Sequence, residues 1–323
     1  MPAAGRYAVQ GAQLRAGLEL WASRARTQLV IEDDRSRPER AARLHAELLE
    51  RGCHFVLGPY GSDSVRAVAA ARPGAVVWNH GAAADDVQRL PGVVSVASPA
   101  SRYLVTLARA VAALRPAATI ALVTASGRFA RFAREALERA CPALGLRVLA
   151  HFSFGDPPAA IAAAGADAIL ACGPVGAEVV LFRALAHLAP STLRGGVSPG
   201  LASFPALLRG DPEGLLAPVQ RHPETRTSPE LGESSAELVA DARASEVDEL
   251  DYVAAQAYAA ALIADRCLEL SRNDPLGAAQ RLRTRTFFGA FELDPATGLQ
   301  RGHRLSVVRW RGARQELLLA EAG

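Results

Sequence analysis

The sequence predicts an α/β protein built from two similar lobes, each with a doubly wound parallel sheet. Short apolar runs alternate with helical stretches through most of the 323 residues, and this alternation favours parallel sheets with helices on both faces. The same strand–helix–strand–helix order occurs over 27–114 and again over 119–200, with Pro116 between them. The length also exceeds what one hydrophobic core usually holds, so two domains are expected.

In the first half, apolar runs predict strands and the stretches between them predict helices. Ser36 and Glu39 have the spacing of a capping box, which would start the first of these helices, and Gly52 is placed to end it. The predicted strands cover 27–34, 54–60, 75–79 and 93–97, and the predicted helices cover 37–51, 65–71 and 102–114, with a short helix or a turn at 85–90.

The second half continues the alternation and ends in a hairpin-like segment. Residues 209–232 are rich in Pro, Gly and charge and predict a surface connection, whereas 287–310 predicts two strands around an Asp-Pro-Ala-Thr-Gly turn. The other predicted strands cover 119–124, 146–152, 167–173, 193–198 and 214–219, and the predicted helices cover 128–140, 157–165, 177–188, 252–271 and 276–282.

Charge and hydropathy exclude several classes of partner. The 36 basic and 33 acidic residues give a formal charge of +3, and the basic residues are spread along the chain, so no nucleic-acid partner is expected. No stretch is long and apolar enough to predict a membrane span. The first residues lack the pattern of a secretory signal, which leaves a mature form, a late start site or a cytosolic protein as alternatives.

The cysteines and histidines predict no metal site and no cofactor. The four cysteines are far apart and form no CxxC pair, so they are expected to be free thiols that behave as small apolar residues. The seven histidines show no metal-ligand spacing. The acidic run 32–34 lies before a predicted helix, where carboxylates favour the helix N-terminus.

The best candidate for a binding site is the segment FVLGPYGSDS at 55–64. An apolar strand runs into Gly-Pro-Tyr-Gly-Ser and then into a helix, so Ser62, Ser64 and backbone N–H groups lie at a helix N-terminus that favours an anion. The segment AVVWNHGAA at 75–83 repeats the pattern. Two neighbouring strand ends would form a crevice at the carboxyl edge of a parallel sheet, where α/β folds bind ligands.

Two side chains near predicted strand ends allow more than one interpretation. His80 could contact a ligand directly, or it could be an ordinary turn residue. Phe129 could project into a cleft between domains, or it could pack against its own helix. Trp78 lies inside a predicted strand and is expected in the core.

The sequence contains no complete enzyme motif of the kinds considered. GVSPG at 196–200 matches G-x-S-x-G, but Pro199 follows the serine and has no N–H for an oxyanion hole. The chain contains neither a dinucleotide-binding G-x-G-x-x-G after a strand nor a P-loop. A hydrolase would require Ser198 or the acidic run 32–34 to meet a base in space.

Six segments in order resemble the type I periplasmic binding proteins, in particular the leucine/isoleucine/valine-binding branch. They are GRYAVQGAQLRAGLEL (5–20), LVIEDDRSRPERA (29–41), FVLGPYGSDSV (55–65), IALVTASGRFARFAREAL (120–137), YVAAQAYAAALIADRC (252–267) and FFGAFELDPATG (287–298). The resemblance implies two lobes joined by a three-segment hinge, with 1–117 plus 248–292 as lobe 1 and 118–247 plus 293–323 as lobe 2. It implies a binding protein, not an enzyme, that closes on a small-molecule ligand between the lobes, with ABC permease subunits as partners and a periplasmic or extracytoplasmic location.

The resemblance also assigns residues to the ligand. Ser62 falls where the family binds a carboxylate, and Ala83 falls where amino-acid binders have a threonine. Ser198 falls where the family has an acid that pairs with an ammonium group, and the aromatic position nearby falls on Pro174 or Val175. A buried ammonium without a partner is costly, so a carboxylate, an amide or an aromatic acid is expected instead of an α-amino acid. The predicted ligand-binding residues are Tyr7, Tyr60, Gly61, Ser62, His80, Gly81, Ala82, Ala83, Phe129, Pro174 and Ser198.

One strand of the family pattern is missing. The family has a strand before the segment that begins here at Gly5, and that strand lies inside the first sheet, so its loss would leave unpaired backbone groups. Two functions remain open: a solute-binding protein of an ABC importer, or a cytosolic ligand sensor of the amide-responsive type on the same fold.

Overall fold

The computed structural model describes residues 1–225, 227–244 and 251–320, and its secondary structure confirms the α/β class. The helices are α1 (Ala8–Ala25), α2 (Pro38–Glu50), α3 (Ser62–Ala71), α4 (Asp85–Gln88), α5 (Tyr103–Leu114), α6 (Arg128–Ala140), α7 (Pro158–Ala163), α8 (Val175–Leu188), α9 (Phe204–Leu208), α10 (Ser235–Ala244), α11 (Tyr252–Leu270) and α12 (Pro275–Arg281). The strands are β1 (Val77–Asn79), β2 (Val93–Ser95), β3 (Thr119–Thr124), β4 (Arg147–Phe152), β5 (Ala168–Cys172), β6 (Leu193–Gly196), β7 (Leu216–Val219), β8 (Thr284–Thr286), β9 (Gly289–Phe291), β10 (Ser306–Arg311) and β11 (Arg314–Ala320).

The chain divides into two compact units. Unit 1 comprises Met1–Pro99 and Arg226–Arg304, and unit 2 comprises Ala100–Thr225 and Leu305–Ala322. The sequence predicts these boundaries at 117, 247 and 292, of which 247 lies outside the described residues. Unit 2 begins before α5 because Leu104 and Leu107 of that helix are buried in the core of unit 2.

Unit 2 contains a seven-stranded sheet in the order β11-β10-β7-β6-β5-β3-β4. Strands β3 to β7 pair in parallel, and β10 joins β7 and β11 in antiparallel fashion. Helices α5 and α6 pack on this sheet through a buried apolar cluster that includes Ile120, Leu122 and Leu137. The predicted bounds of β3 and α6 are confirmed, since both elements cover the predicted residues.

Unit 1 has much less regular sheet than the sequence predicts. β1 pairs with β2 in parallel, and Leu57 forms a single parallel bridge to Trp78. The strand predicted at 27–34 is wrong, and the strand predicted at 54–60 is reduced to that one bridge. The reason is that a strand exists only where a neighbouring backbone completes its hydrogen bonds, and 27–34 joins no ladder among the described residues.

The predicted capping box at the start of α2 is also wrong. The N-cap is Arg37, and no side chain caps the helix. The Ser36 hydroxyl instead accepts a hydrogen bond from the Tyr7 N–H at 3.3 Å and donates one to the Ala4 carbonyl at 3.1 Å. Ser36 therefore holds the N-terminal segment and is not free to cap α2. Gly52 follows the end of this helix with φ 84, as predicted.

Several small elements were not predicted, whereas the free state of the cysteines was. Helices α9 and α10 and strands β8 and β11 lie where the sequence analysis assigned no element. The four cysteines are free thiols, and three of them are buried. Within the described ranges, no helix combines the length and apolar character needed to cross a bilayer.

Helices α1 and α11 approach each other closely in unit 1 at Gly17. A Cβ atom at this position would lie 2.1 Å from the backbone oxygen of Ala254, a distance that neither backbone can accommodate without moving. Gly17→Ala is therefore expected to lower the free energy of unfolding by about 1–3 kcal/mol, the usual cost of overpacking a core. Urea denaturation followed by circular dichroism measures this change.

Gly176 provides the matched control, because it is also a helical glycine but has no atom within 4 Å of a Cβ. Gly176→Ala is expected to leave stability unchanged or to raise it by up to about 1 kcal/mol, since alanine is the better helix former. Equal midpoints for the two variants would show that the contact of α1 with α11 is not tight at Gly17.

Candidate functional site

The predicted anion site of unit 1 lies at the start of α3. The helix begins at Ser62 with Gly61 as the N-cap at φ 95, and no side chain caps it. Its first N–H groups are therefore not occupied by a capping side chain, and the helix dipole favours negative charge there. The carboxylate of Asp63 lies in this first turn and is paired with Arg6 at 3.4 Å.

The second predicted strand end lies beside the first. The Ser62 hydroxyl accepts a hydrogen bond from the Ala84 N–H at 3.3 Å, which joins the start of α3 to the loop after β1. Gly81 packs so tightly against Tyr60 that a Cβ would lie 2.1 Å from its ring. Ala82 is fully buried and Ala83 nearly so. The prediction that these two strand ends come together is thus matched by the geometry.

Asn79 holds this loop in place and was missed by the sequence analysis. Its side-chain oxygen accepts hydrogen bonds from the N–H groups of Gly81 at 3.0 Å and Ala82 at 2.7 Å. Its amide nitrogen donates to the Ala82 carbonyl at 2.8 Å and to the Ser95 hydroxyl at 2.7 Å. The residue is completely buried, so its four hydrogen bonds fix the conformation of 79–82. An amide at the end of an apolar strand, followed by small residues, is the sequence signal for it.

Three aromatic rings contact one another in sequence near the start of α3. The ring centroids of Tyr7 and Tyr60 are 5.1 Å apart in an edge-on arrangement, and those of Tyr60 and His80 are 6.5 Å apart and stacked. The Arg6 guanidinium lies 4.5 Å from the centroid of the Tyr7 ring. Burial raises the pKa of Tyr7, and the positive charge of Arg6 opposes this shift. Tyr7 therefore keeps its hydroxyl proton as a possible donor.

His80 is completely buried, and neither ring nitrogen has a hydrogen-bond partner in the described structure. Its ring lies against the backbone of Gly58, where a Cβ would be 2.6 Å from Nε2. Burial lowers the pKa of His80 to about 3, and the N-terminal ammonium group adds to the shift. The imidazole is therefore neutral at physiological pH, and direct ligand contact by His80 stays a prediction.

In unit 2 the predicted site residues share one edge of the sheet. Phe129 follows β3, Pro174 follows β5 and Ser198 follows β6, and these three strands are neighbours that run in parallel. Phe129 packs edge-on against Tyr103 with ring centroids 5.0 Å apart. The Tyr103 hydroxyl accepts a hydrogen bond from the Gln220 amide, and burial raises the pKa of Tyr103 to about 12.

Glu178 joins two of these strand ends. Its carboxyl group accepts hydrogen bonds from the N–H groups of Gly173 and Ser198, each at 2.8 Å, and the side chain is completely buried. Burial raises the pKa of Glu178 to about 8, although the backbone hydrogen bonds oppose that shift. The carboxyl group thus connects the ends of β5 and β6 through these two hydrogen bonds. Pro174 is exposed beside it as the N-cap of α8.

The chain belongs to the periplasmic binding protein family, whose pattern matches residues 1–314. This match confirms the family resemblance drawn from the six sequence segments. Members of this family are binding proteins that are periplasmic or extracytoplasmic. No curated protein sequence gives a significant match.

Solved structures of similar fold cover almost the whole chain. A solute-binding protein from R. palustris in complex with 4-hydroxybenzoate is 16% identical, with a TM-score of 0.81, and the match covers 99% of this chain and 94% of that one. The branched-chain amino acid transporter substrate binding protein LivJ from Streptococcus pneumoniae, in complex with isoleucine, is 15% identical with a TM-score of 0.82, over 97% and 95%. A leucine binding protein from Thermotoga maritima is 17% identical with a TM-score of 0.82, over 98% and 95%. These similarities show the fold.

Proposed function

We propose that this protein is the solute-binding component of an ABC importer and binds a small carboxylate-bearing ligand at the start of α3. The observation that carries the proposal is the pairing of an uncapped helix N-terminus with the hydroxyl of Ser62, which contacts the loop after β1. Backbone N–H groups at such a position bind carboxylates without a charged side chain. No covalent chemistry is needed for this role, so the protein is proposed to be a binding protein and not an enzyme.

The ligand class follows from what surrounds the carboxylate site. Tyr7 and Tyr60 offer aromatic surface, whereas Ala83 offers no polar side chain for an ammonium group. An aromatic or aliphatic carboxylate, or an amide, therefore fits better than leucine, isoleucine or valine. The R. palustris relative that binds 4-hydroxybenzoate supports this choice, and the S. pneumoniae relative that binds isoleucine is the competing precedent.

A thermal-shift panel tests the ligand class. Benzoate, 4-hydroxybenzoate, short aliphatic acids and benzamide are compared with leucine, isoleucine and valine at equal concentrations. A ligand at a hundred times its Kd stabilises the fold by about 2.7 kcal/mol, which shifts the melting temperature measurably. The acids or amides are expected to give the largest shift. A larger shift from a branched-chain amino acid would reject the proposed ligand class, and no shift from any compound would reject small-carboxylate binding.

Ser62→Ala tests the binding position with whichever compound gives the largest shift. Loss of a hydrogen bond to a carboxylate is expected to weaken binding by about 0.5–3 kcal/mol, depending on how buried the contact is. Ser191→Ala is the matched control, because Ser191 is exposed and precedes β6 in unit 2. Isothermal calorimetry measures both variants. Equal affinities for Ser62→Ala and the unmodified protein would remove Ser62 from the site.

The importer role and the sensor role differ in where the ligand-bound protein acts. Cell fractionation is expected to place the protein outside the cytoplasm, and deletion of its gene is expected to abolish uptake of the labelled ligand. A cytoplasmic protein with unchanged uptake would favour the ligand sensor. Closure of the two lobes around the ligand remains part of the proposal, and a smaller radius of gyration in X-ray scattering after ligand addition is its test.

A further inference from the structure

The segment 95–98 of unit 1 is bound on one side to the elements of the candidate site. The Ser95 hydroxyl accepts a hydrogen bond from the Asn79 amide at 2.7 Å, and the Ala97 carbonyl accepts one from the Gln88 amide at 3.1 Å. Asn79 fixes the loop after β1, and Gln88 is the last residue of α4, the helix that follows this loop. All three polar side chains are completely buried. The backbone of 95–98 is thus attached to the candidate site through two hydrogen bonds.

The same segment is bound on its other side to residues 300–303. The Val96 carbonyl accepts a hydrogen bond from the Gln300 amide at 3.2 Å. The Ser98 hydroxyl lies 3.0 Å from Nδ1 of His303 and donates to the His303 carbonyl at 3.2 Å. These polar side chains are also almost completely buried. All four residues of 95–98 therefore bind a buried polar side chain from another part of the chain.

Gln300 is the residue that joins the two sides of this network. Its side-chain oxygen accepts hydrogen bonds from the N–H groups of Gly302 at 2.8 Å and His303 at 3.2 Å. Its backbone N–H donates to the side-chain oxygen of Gln88 at 3.4 Å. One buried carboxamide thus orients 302–303 and holds Val96 at the same time. A buried polar network whose groups are paired rigidifies the segments that it joins.

Both segments of the network lead directly out of unit 1. The chain passes into unit 2 after Pro99 and again after Arg304, so Ser98 and His303 each lie one residue before the end of unit 1. We propose that Gln300 is a positioning residue that couples the loop after β1 to these two crossings. A contiguous set of packed and hydrogen-bonded groups is a physical route for such coupling. The inference rests on the proposed function for its purpose, since a ligand bound at this loop would then bias the closure of the lobes.

Hydrogen–deuterium exchange of the ligand-free protein tests the coupling. The loop reporters are the N–H groups of Gly81 and Ala82, which donate to the Asn79 side chain. Gln300→Met keeps the length of the side chain and removes its hydrogen bonds. It is expected to speed exchange of both loop reporters at least about threefold, because local opening sets the exchange rate. Ser98→Ala removes a single hydroxyl and is expected to act in the same direction, so it decides the result if Gln300→Met does not fold.

Two control variants separate coupling from a general loss of stability. Gln280→Met makes the same chemical change at an exposed position of α12. Tyr258→Phe removes the hydrogen bond that a buried side chain of unit 1 donates to Glu233, outside the network. Both controls are expected to leave exchange of the loop reporters unchanged. Equal acceleration by Tyr258→Phe and Gln300→Met would overturn the proposal, and so would unchanged exchange in both Gln300→Met and Ser98→Ala.

The same measurement with 4-hydroxybenzoate as the probe separates this inference from the proposed function. The probe is expected to slow exchange of the loop reporters and also of the N–H groups of Gly302 and His303, which donate to Gln300. In Ser98→Ala the first effect is expected to remain and the second to shrink at least about threefold. Protection confined to the loop reporters of the unmodified protein would overturn the inference and leave the proposed function intact. No protection at either pair would reject binding of this probe, and the ligand-free comparison would still decide the coupling.

Discussion

The free energy of unfolding is expected to be greatest near pH 6.5 and to fall by at least about 1.4 kcal/mol per pH unit toward pH 4.5. Two buried histidines cause this fall in stability toward low pH, the acid limb of the stability profile. Burial lowers the pKa of His80 to about 3 and of His45 to about 4, with smaller contributions from the N-terminal ammonium and from Arg72, respectively. Burial lowers the pKa of His222 as well.

The sign follows from the protons that each state binds. Between the lowered pKa values and the unfolded value of 6.5, each histidine is neutral when folded and protonated when unfolded. Their stabilisation is therefore complete above pH 6.5 and is lost as the pH falls through the folded pKa. For His80 alone the full effect is about 5 kcal/mol, at about 1.4 kcal/mol for each unit of pKa shift.

Glu178 acts in the opposite direction. Burial raises its pKa from 4.5 to about 8, so the folded protein holds a proton that the unfolded chain has lost. The stability that this gives is complete below pH 4.5 and is lost as the pH rises through 8. Between pH 4.5 and 6.5 the two histidines have a larger effect on stability than the one carboxyl group. Above pH 6.5 only the contribution of Glu178 still changes, and its gradual loss lowers the stability.

Urea denaturation at a series of pH values measures this profile. His80→Phe removes one titrating group and is expected to make the acid limb shallower by about one proton, which is about 1.4 kcal/mol per pH unit. His187→Phe is the control, because His187 is exposed on α8, and its acid limb is expected to match that of the unmodified protein. An acid limb of unchanged slope in His80→Phe would show that His80 is not buried as a neutral group.

The sequence predicts best those strands that have a neighbouring strand to pair with in the structure. β3 has the predicted bounds because 119–124 pairs on both sides, with β4 and with β5. The segment 27–34 also contains an apolar run, Leu-Val-Ile at 29–31, but forms no strand in the described structure. A sequence pattern indicates which residues are suited to a strand. Whether the strand forms also depends on a neighbouring backbone, about which the local pattern carries no information.

The candidate site was predictable to the extent that it depends on local geometry. The sequence predicts Gly61 and Gly81 as site residues because they lie in turns beside apolar runs. The structure brings the two strand ends together. Glu178 could not be assigned in this way. A carboxylate in the first turn of a helix is typical of an exposed position, and its burial depends on the ends of β5 and β6, which lie far apart in the sequence from one another.

Asn79→Ala is expected to cause the largest loss of any single substitution near the candidate site. The change removes the one oxygen that accepts from the Gly81 and Ala82 N–H groups, takes away the donor to the Ser95 hydroxyl, and leaves the Ala82 carbonyl with only the Gln88 amide at 3.5 Å. Each buried group left unsatisfied costs about 1–3 kcal/mol. Since some of them will find new partners, a total of about 3–5 kcal/mol is expected, which is large against the usual effect of one mutation. Chemical denaturation measures this loss.

The same substitution is expected to weaken ligand binding beyond its effect on stability, because Asn79 fixes the loop that Ser62 contacts through Ala84. Asn273→Ala is the matched control: it makes the same chemical change at an exposed position and is expected to alter stability by less than about 0.5 kcal/mol. Ligand affinity is compared by calorimetry at a temperature where both variants are folded. If the folded Asn79→Ala protein bound as tightly as Asn273→Ala, the loop after β1 would not be part of the binding site, and the anion site would reduce to the first turn of α3.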